Sequence, residues 1–195
     1  MLQIRSGSQW AAVHAGFYLT FVAGWCRFQG MITPVLETDR LEEVARFIGG
    51  VQTPPLAWRG LCGIVGHWQL RGYGFFSVIE KESGQWLGRV GPWNPHGWPL
   101  PEIGWTLNRA SWGKGYATEA AAACMDHVFD TLGWDSVIHL IHADNHGSQA
   151  VAARLGSSNT GEEVEVPGFG ILVDVWGQSA DDWRARRKQA AVHKR

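Results

Sequence analysis

The part of this sequence best suited to chemistry is a pair of glycines, two residues apart, set in front of an apolar stripe of helical period. Residues 108–132 read NRASWGKGYATEAAAACMDHVFDTL. The turn Trp112, Gly113, Lys114, Gly115 leads into Ala117, Ala120, Ala121, Cys124, Met125, Val128, Phe129 and Leu132, spaced like the buried face of an amphipathic helix. Gly133 stands where a left-handed residue commonly stops such a helix. Residues 102–108 (EIGWTLN) read as a strand, so the order is strand, glycine turn, helix. The first amides of a helix lack internal acceptors and its dipole makes that end weakly positive, so a phosphate there gains roughly 0.3–1 kcal/mol. A strand-to-helix turn that uses glycine and binds nothing reads equally well from these residues alone.

The elements that must position this turn can be followed along the chain. Residues 42–48 form a short helical piece closed by Gly49 and Gly50, and Pro54 with Pro55 makes 52–55 a turn. A helix is predicted over 57–70, weakened by Gly60, Gly63 and Gly66. Residues 75–80 and 85–90 are strands joined by the turn KESG. Residues 92–101 hold four of the eight prolines and read as a loop, whose Trp93 and Trp98 cover either core or a pocket. Residues 136–142 read as a buried strand. Asp144 or Asn145 then caps a helix that ends at Leu155 before Gly156, and strands 162–166 and 170–176 flank PGFG as a closing hairpin.

Length and composition bound the class. A chain of 195 residues suits one domain that buries roughly 70% of its unfolded surface. A net charge of −1 gives no general grip on nucleic acid, which is not an expected partner. Twelve tryptophans and only 18% charged residues describe a packed globule. Cys26, Cys62 and Cys124 lack metal-ligand spacing and read as reduced thiols of a cytoplasmic protein, with Cys124 on the buried helix face. The apolar run 10–26 has the composition of a signal peptide or short anchor. It is broken by His14 and two glycines and shows no clear cleavage site, so it is taken as an N-terminal extension with no membrane expected. The basic residues from Arg184 to Arg195 read as a solvated helix end.

The turn lacks the G-x-x-x-x-G-K-[ST] pattern of nucleotide hydrolysis. It is also an imperfect dinucleotide fingerprint, because Thr118 stands where a third small residue is expected, and a dinucleotide-dependent oxidoreductase is the outside reading. GWTL (104–107), WGKGYATEA (112–120), and N-x-x-S followed by V-A-x-R-L-G (145–156) together resemble the GNAT superfamily of acetyltransferases. The branch they look like is the one named for ribosomal-protein N-terminal acetyltransferases. The resemblance spans about residues 34–176. It implies an α+β fold, a central mixed and mostly antiparallel sheet with splayed strands flanked by helices, and acetyl-CoA as co-substrate. It divides the chain into an aromatic extension (1–30), the acetyltransferase domain (31–178) and a basic tail (179–195).

Carried over residue by residue, the family's Q/R-x-x-G-x-G/A signature falls on Trp112, Gly113, Lys114, Gly115, Tyr116 and Ala117, with Trp at the first position. These and Thr118 would hold the CoA pyrophosphate. Trp105, Thr106 and Leu107 would line the pantetheine arm between strands 102–108 and 136–142, and Asn145 and Ser148 would reach it or the thiolate from the next helix. One departure stands out. ETDRL (37–41) runs almost directly into EEVARFIGG (42–50), so most of the family's first strand and first helix is missing, which reads equally as replacement by the aromatic extension, with 17–22 as an edge strand, or as a defective or misread N-terminus. A catalytically impaired acyl-CoA-binding protein is the alternative this raises.

The implied reaction is direct attack of a neutral amine on a thioester, the acceptor being a protein N-terminus or a small amine. Deprotonation at pH 7 costs about 4.6 kcal/mol for a lysine-like amine and about 1 kcal/mol for an α-amine, so the latter is chemically easier. Glu102, Asn145 and Ser148 are the catalytic candidates. Glu102 reads equally as a base acting through water or as an ordinary strand-end carboxylate. His139 and His142 fall on opposite faces of one strand and His146 on the next helix, so no metal is expected, and His142 is a second acceptor-side candidate. A monomer or homodimer is expected.

Overall fold

The computed structural model of the chain describes residues 52–192 together with two short strands, β1 (Ala12–Val13) and β2 (Phe17–Thr20). The elements that follow are α1 (Pro54–Arg71), β3 (Phe76–Glu80), β4 (Trp86–Trp93), β5 (Glu102–Leu107), α2 (Tyr116–Asp130), β6 (Ser136–Ile141), α3 (His146–Leu155), β7 (Ser158–Val166), β8 (Ile171–Ser179) and α4 (Ala180–Val192). The strands form one sheet in the order β1-β2-β3-β4-β5-β6-β8-β7, in which β5 and β6 alone run parallel. This is the mixed, mostly antiparallel α+β sheet that the resemblance implies.

The predicted stripe does its work on α2. Ala120, Ala121, Cys124, Met125, Val128 and Phe129 are buried against Val78, Val90, Ile103 and Val137 of the sheet. Alanines at two of these positions let the helix approach the strands closely, and burial holds the Cys124 thiol above its usual range. The helix ends as expected, Gly133 being left-handed at φ 70.

Three expectations are corrected. Pro54 and Pro55 open α1 instead of interrupting the chain, since the first positions of a helix need no N–H and favour the φ of proline. Strand β4 continues through Pro92 to Trp93, past the end of its ladder with β3 at Phe76↔Val90, where one side lacks a partner strand and proline is tolerated. The chain from Ala180 is a docked helix. Trp183 is buried and its Nε1–H donates to Asp126 Oδ1 at 2.8 Å, while Arg184 donates to the Phe129 carbonyl and Arg187 to Asp126 Oδ2. Exposed ion pairs of this kind are worth about 0–1 kcal/mol, so the buried indole is the main anchor.

Strand β2 pairs with β3 from Phe17↔Glu80 to Thr20↔Ser77, so residues 17–20 extend the sheet, though not as its edge strand, since β1 pairs beyond them. The expectations over residues 37–50 lie outside the described residues. Among the described residues, no helix is long and apolar enough to cross a membrane.

Candidate active site

The site begins where β5 and β6 part. These parallel neighbours share one register pair, Glu102↔Ile138, supported by the Ile138 N–H donating to the Pro101 carbonyl at 2.9 Å. Beyond it, side chains replace the ladder. Glu102 Oε1 accepts from the Leu140 N–H at 3.3 Å, and His139 Nδ1 lies 2.8 Å from the Ile103 carbonyl. The Trp105 ring then leans on the His139 ring, centroids 4.8 Å apart, and its Nε1–H donates to Ser148 Oγ at 3.2 Å. The backbone ladder between β5 and β6 thus stops after one pair, and side chains bridge the gap where the strands part.

Glu102 is the acid at the paired end of this gap. It is 8% exposed and also accepts a 2.7 Å hydrogen bond from Trp98 Nε1–H, which gives the proline-rich loop a definite task. Burial raises its pKa to about 7, against the lowering effect of the two hydrogen bonds. His139 is 1% exposed, and burial lowers its pKa to about 4. Its ring is neutral, with Nδ1–H donating to Ile103 and Nε2 accepting from the Ser157 hydroxyl at 2.9 Å. Ser157 Oγ in turn accepts from Gln178 Nε2 at 2.8 Å, so one chain of bonds ties β5, β6 and β8 together.

These two groups oppose each other in stability. The folded pKa of Glu102 lies above its ordinary 4.5, so its contribution is fully present below pH 4.5 and lost as pH rises through 7. That of His139 lies below its ordinary 6.5, so its contribution is present above pH 6.5 and lost as pH falls through 4. Each displacement is worth roughly 3 kcal/mol, so between about pH 4.5 and 6.5 the two slopes cancel each other in the unaltered protein, and removing either group exposes the slope of the other. Urea melts across that window should show stability rising with pH in Glu102→Gln and falling with pH in His139→Gln. Parallel profiles for the two variants would contradict the assignment.

The glycine turn follows the far end of β5, which lies about 17 Å from Glu102 at the usual rise per residue. A short 3-10 turn (Arg109–Ser111) and a bond from Trp112 Nε1–H to the Leu107 carbonyl lock it to the strand. Gly113 and Gly115 have φ values of 74 and 83, and a Cβ built on either meets no atom within 4 Å. Both glycines are therefore required by backbone conformation, and the space above them is open. The first bond within α2 runs from Glu119 N–H to the Gly115 carbonyl, so Ala117 and Thr118 amides precede any helical acceptor. The turn is held from behind by Tyr116, whose hydroxyl donates to Glu80 on β3. Ser83 and then Tyr116 keep the Glu80 carboxyl below its usual pKa.

The remaining candidates separate by role. Asn145 caps α3, its Oδ1 accepting from the Ser148 N–H at 3.1 Å, and Ser148 faces Trp105 across the gap. His142 Nδ1 accepts from the Asp144 N–H and His146 faces Gln149. Among the described residues, no group of three His, Cys, Asp or Glu is placed to hold a metal ion. The links from Tyr116 to Glu80 and from His139 to Ser157 were not legible in the sequence, since each joins residues far apart in the chain.

A glycine turn entering a buried helix beside two parted parallel strands is an arrangement shared with known proteins. The sequence pattern of the acetyltransferase (GNAT) domain matches residues 32–158, more than half of the chain. The chain belongs to the GNAT acetyltransferase family. An uncharacterized Bacillus subtilis protein, YkkB, is 37% identical over 90 residues, which cover 44% of this chain and 52% of that relative. The chain thus spans about half the length of this curated relative. Among solved structures, an acetyltransferase from Agrobacterium tumefaciens superposes with a TM-score of 0.69 at 23% identity, covering 91% of this chain and 98% of that one. Mycobacterium smegmatis RimJ in complex with CoA-disulfide superposes at 0.53 with 21% identity, covering 65% and 63%. Within this GNAT fold, the glycine turn and the parting of β5 from β6 lie at consecutive points along one strand.

Proposed function

We propose that this protein is an acetyl-CoA-dependent N-acetyltransferase acting on a primary amine by direct attack. The observation that carries the reading is β5 itself, which joins an open, positive-φ glycine turn at one end to a buried carboxyl with a pKa near 7 at the other. The turn suits a pyrophosphate. Its two glycines leave the approach clear, the Ala117 and Thr118 amides precede the helical bonds, and Lys114 is exposed beside them. When bound, acetyl-CoA supplies an activated acyl group as a thioester. Trp112 to Thr118 hold its phosphates, the backbone of Trp105, Thr106 and Leu107 lines the arm while the Leu107 side chain stays in the core, and Ser148, which accepts from Trp105, retains its own hydroxyl proton to donate toward the arm. Asn145 positions Ser148 through the helix cap.

Glu102 takes the proton from the incoming amine, directly or through one water. A carboxyl with a pKa near 7 is half ionised at neutral pH, the condition under which a base is both available and strong enough to act. An α-amine needs the least help, which supports a peptide N-terminus or a similar small amine as acceptor. Calorimetry with acetyl-CoA, followed by mass spectrometry of products from peptide and small-amine panels, tests this reading. Binding together with acetylated amine is expected. Absence of acetyl-CoA binding would overturn it, and binding with background thiol release across the panel would leave an acyl-CoA-binding protein.

A further inference from the structure

The sheet face opposite α2 carries a cation, Arg89, that is unpaired among the described residues. Val90 and Ile103 point into the core beneath α2, so by the two-residue period Arg89, Gly91 and Trp93 of β4 lie on the other face, opposite Thr106, Gly104 and Glu102 of β5. The Arg89 guanidinium sits over the Phe75 ring, 4.8 Å from its centroid. Phe75 in turn packs on the glycine pair. A Cβ on Gly104 would come within 3.2 Å of the ring, and one on Gly91 within 2.8 Å of the Phe75 Cα. Trp93 continues the row, 5.2 Å from Phe75 and stacked at 4.4 Å on His67.

Among the described residues, Arg89 has no hydrogen-bond or ion-pair partner. The aromatic face attracts its charge but satisfies none of its five N–H donors. Burial disfavours the charged form, and an arginine remains protonated nonetheless. A desolvated, unpaired cation is unfavourable in a folded protein unless something else supplies the anion. Glu102 shares this face, two side-chain rows away, with Phe75 over Gly104 between them.

We propose that Arg89 is the anion-recognising residue of the acceptor subsite, so that the amine acetylated here carries a carboxylate or phosphate at the end of an apolar spacer. The inference rests on the acetyl-transfer reading and narrows its acceptor. Glu102 and the position opposite Arg89 are four residues apart on β5, about 13 Å between backbones. That separation suits an anion several bonds from the amine, with the spacer lying on Phe75, and excludes an α-amino acid, where the two groups share one carbon. A planar guanidinium fork binds either anion by paired hydrogen bonds.

Matched substrates that keep the easier α-amine test it: glycyl-γ-aminobutyrate against its amide, with glycyl-aminoethyl phosphate to tell carboxylate from phosphate. The unaltered protein should favour an anionic amine over the neutral one by about tenfold or more in kcat/KM. Arg89→Gln should bring that ratio close to one through KM, and Arg89→Lys should restore part of it. A ratio near one in the unaltered protein overturns the proposal. So does an Arg89→Gln variant whose acetyl-CoA affinity falls as far as its acceptor affinity. If no amine turns over, the acetyl-transfer reading fails, and calorimetry with the acetamido acid and its amide still decides the role of Arg89. Selective binding of the acid that Arg89→Gln abolishes supports it, and equal binding of both compounds refutes it.

Discussion

Acetyl transfer by a Glu102→Gln variant should fall by about 10²–10⁴-fold, the usual worth of a positioned general base, with acetyl-CoA affinity retained. Glutamine keeps the shape of the side chain and removes its ability to take a proton. In the unaltered protein the rate should rise as pH passes through about 7, where Glu102 ionises, and the variant should keep only the rise that belongs to the amine itself. The fold should survive, for two reasons that offset each other. Carboxylate oxygens accept separately from Trp98 and Leu140, whereas glutamine has one carbonyl, so one donor loses its acceptor at roughly 1–3 kcal/mol. Above pH 7 the variant also no longer buries an ionised group, which is worth roughly as much in the opposite direction. Steady-state rates from pH 6 to 9, measured beside thermal melts, check both halves. A variant that keeps its rate and its pH dependence would remove Glu102 from the chemistry.

Gly115→Glu should weaken acetyl-CoA binding by about 100-fold or more, the expected result of placing a carboxylate where the turn presents amides to a phosphate. Gly115 is left-handed at φ 83, so any side chain adds strain of roughly 1–2 kcal/mol. Its Cβ meets nothing within 4 Å, so the new side chain enters open space without disturbing the core. Gly115→Ala separates the two contributions, because it carries the strain and not the charge. Calorimetry should place Gly115→Ala near the unaltered protein and Gly115→Glu far below it. Unchanged affinity in Gly115→Glu would show that this turn is not the phosphate site, and equal losses in both variants would trace the effect to the backbone.

Much of this architecture was legible because it is written in short-range pattern. The stripe from Ala120 to Phe129 became the buried face of α2, Asn145 capped α3, Gly156 ended it, and PGFG joined β7 to β8. Each depends on residues a turn or less apart, where backbone conformation and helical period leave few choices. The errors came from punctuation with two meanings. Pro54 and Pro55 signal a break or a helix start, and Pro92 a loop or the unpaired margin of a strand, according to which neighbours are present.

The amino-acid sequence by itself determined a phosphate-ready turn, its helix and the order of elements around them, since these follow from local period, glycine conformation and motif. Tertiary structure alone decided what the polar groups do. His139 became a neutral tie between Ile103 and Ser157, 36 and 18 residues away, and Glu102 was lifted to a pKa near 7 by burial that no neighbouring residue in the chain foretells. Arg89 lies over Phe75 because strands β4 and β5 place Thr106 opposite it, and among the described residues no acid answers its charge. Desolvation and pairing depend on which distant segments meet, and the sheet settles that when it forms.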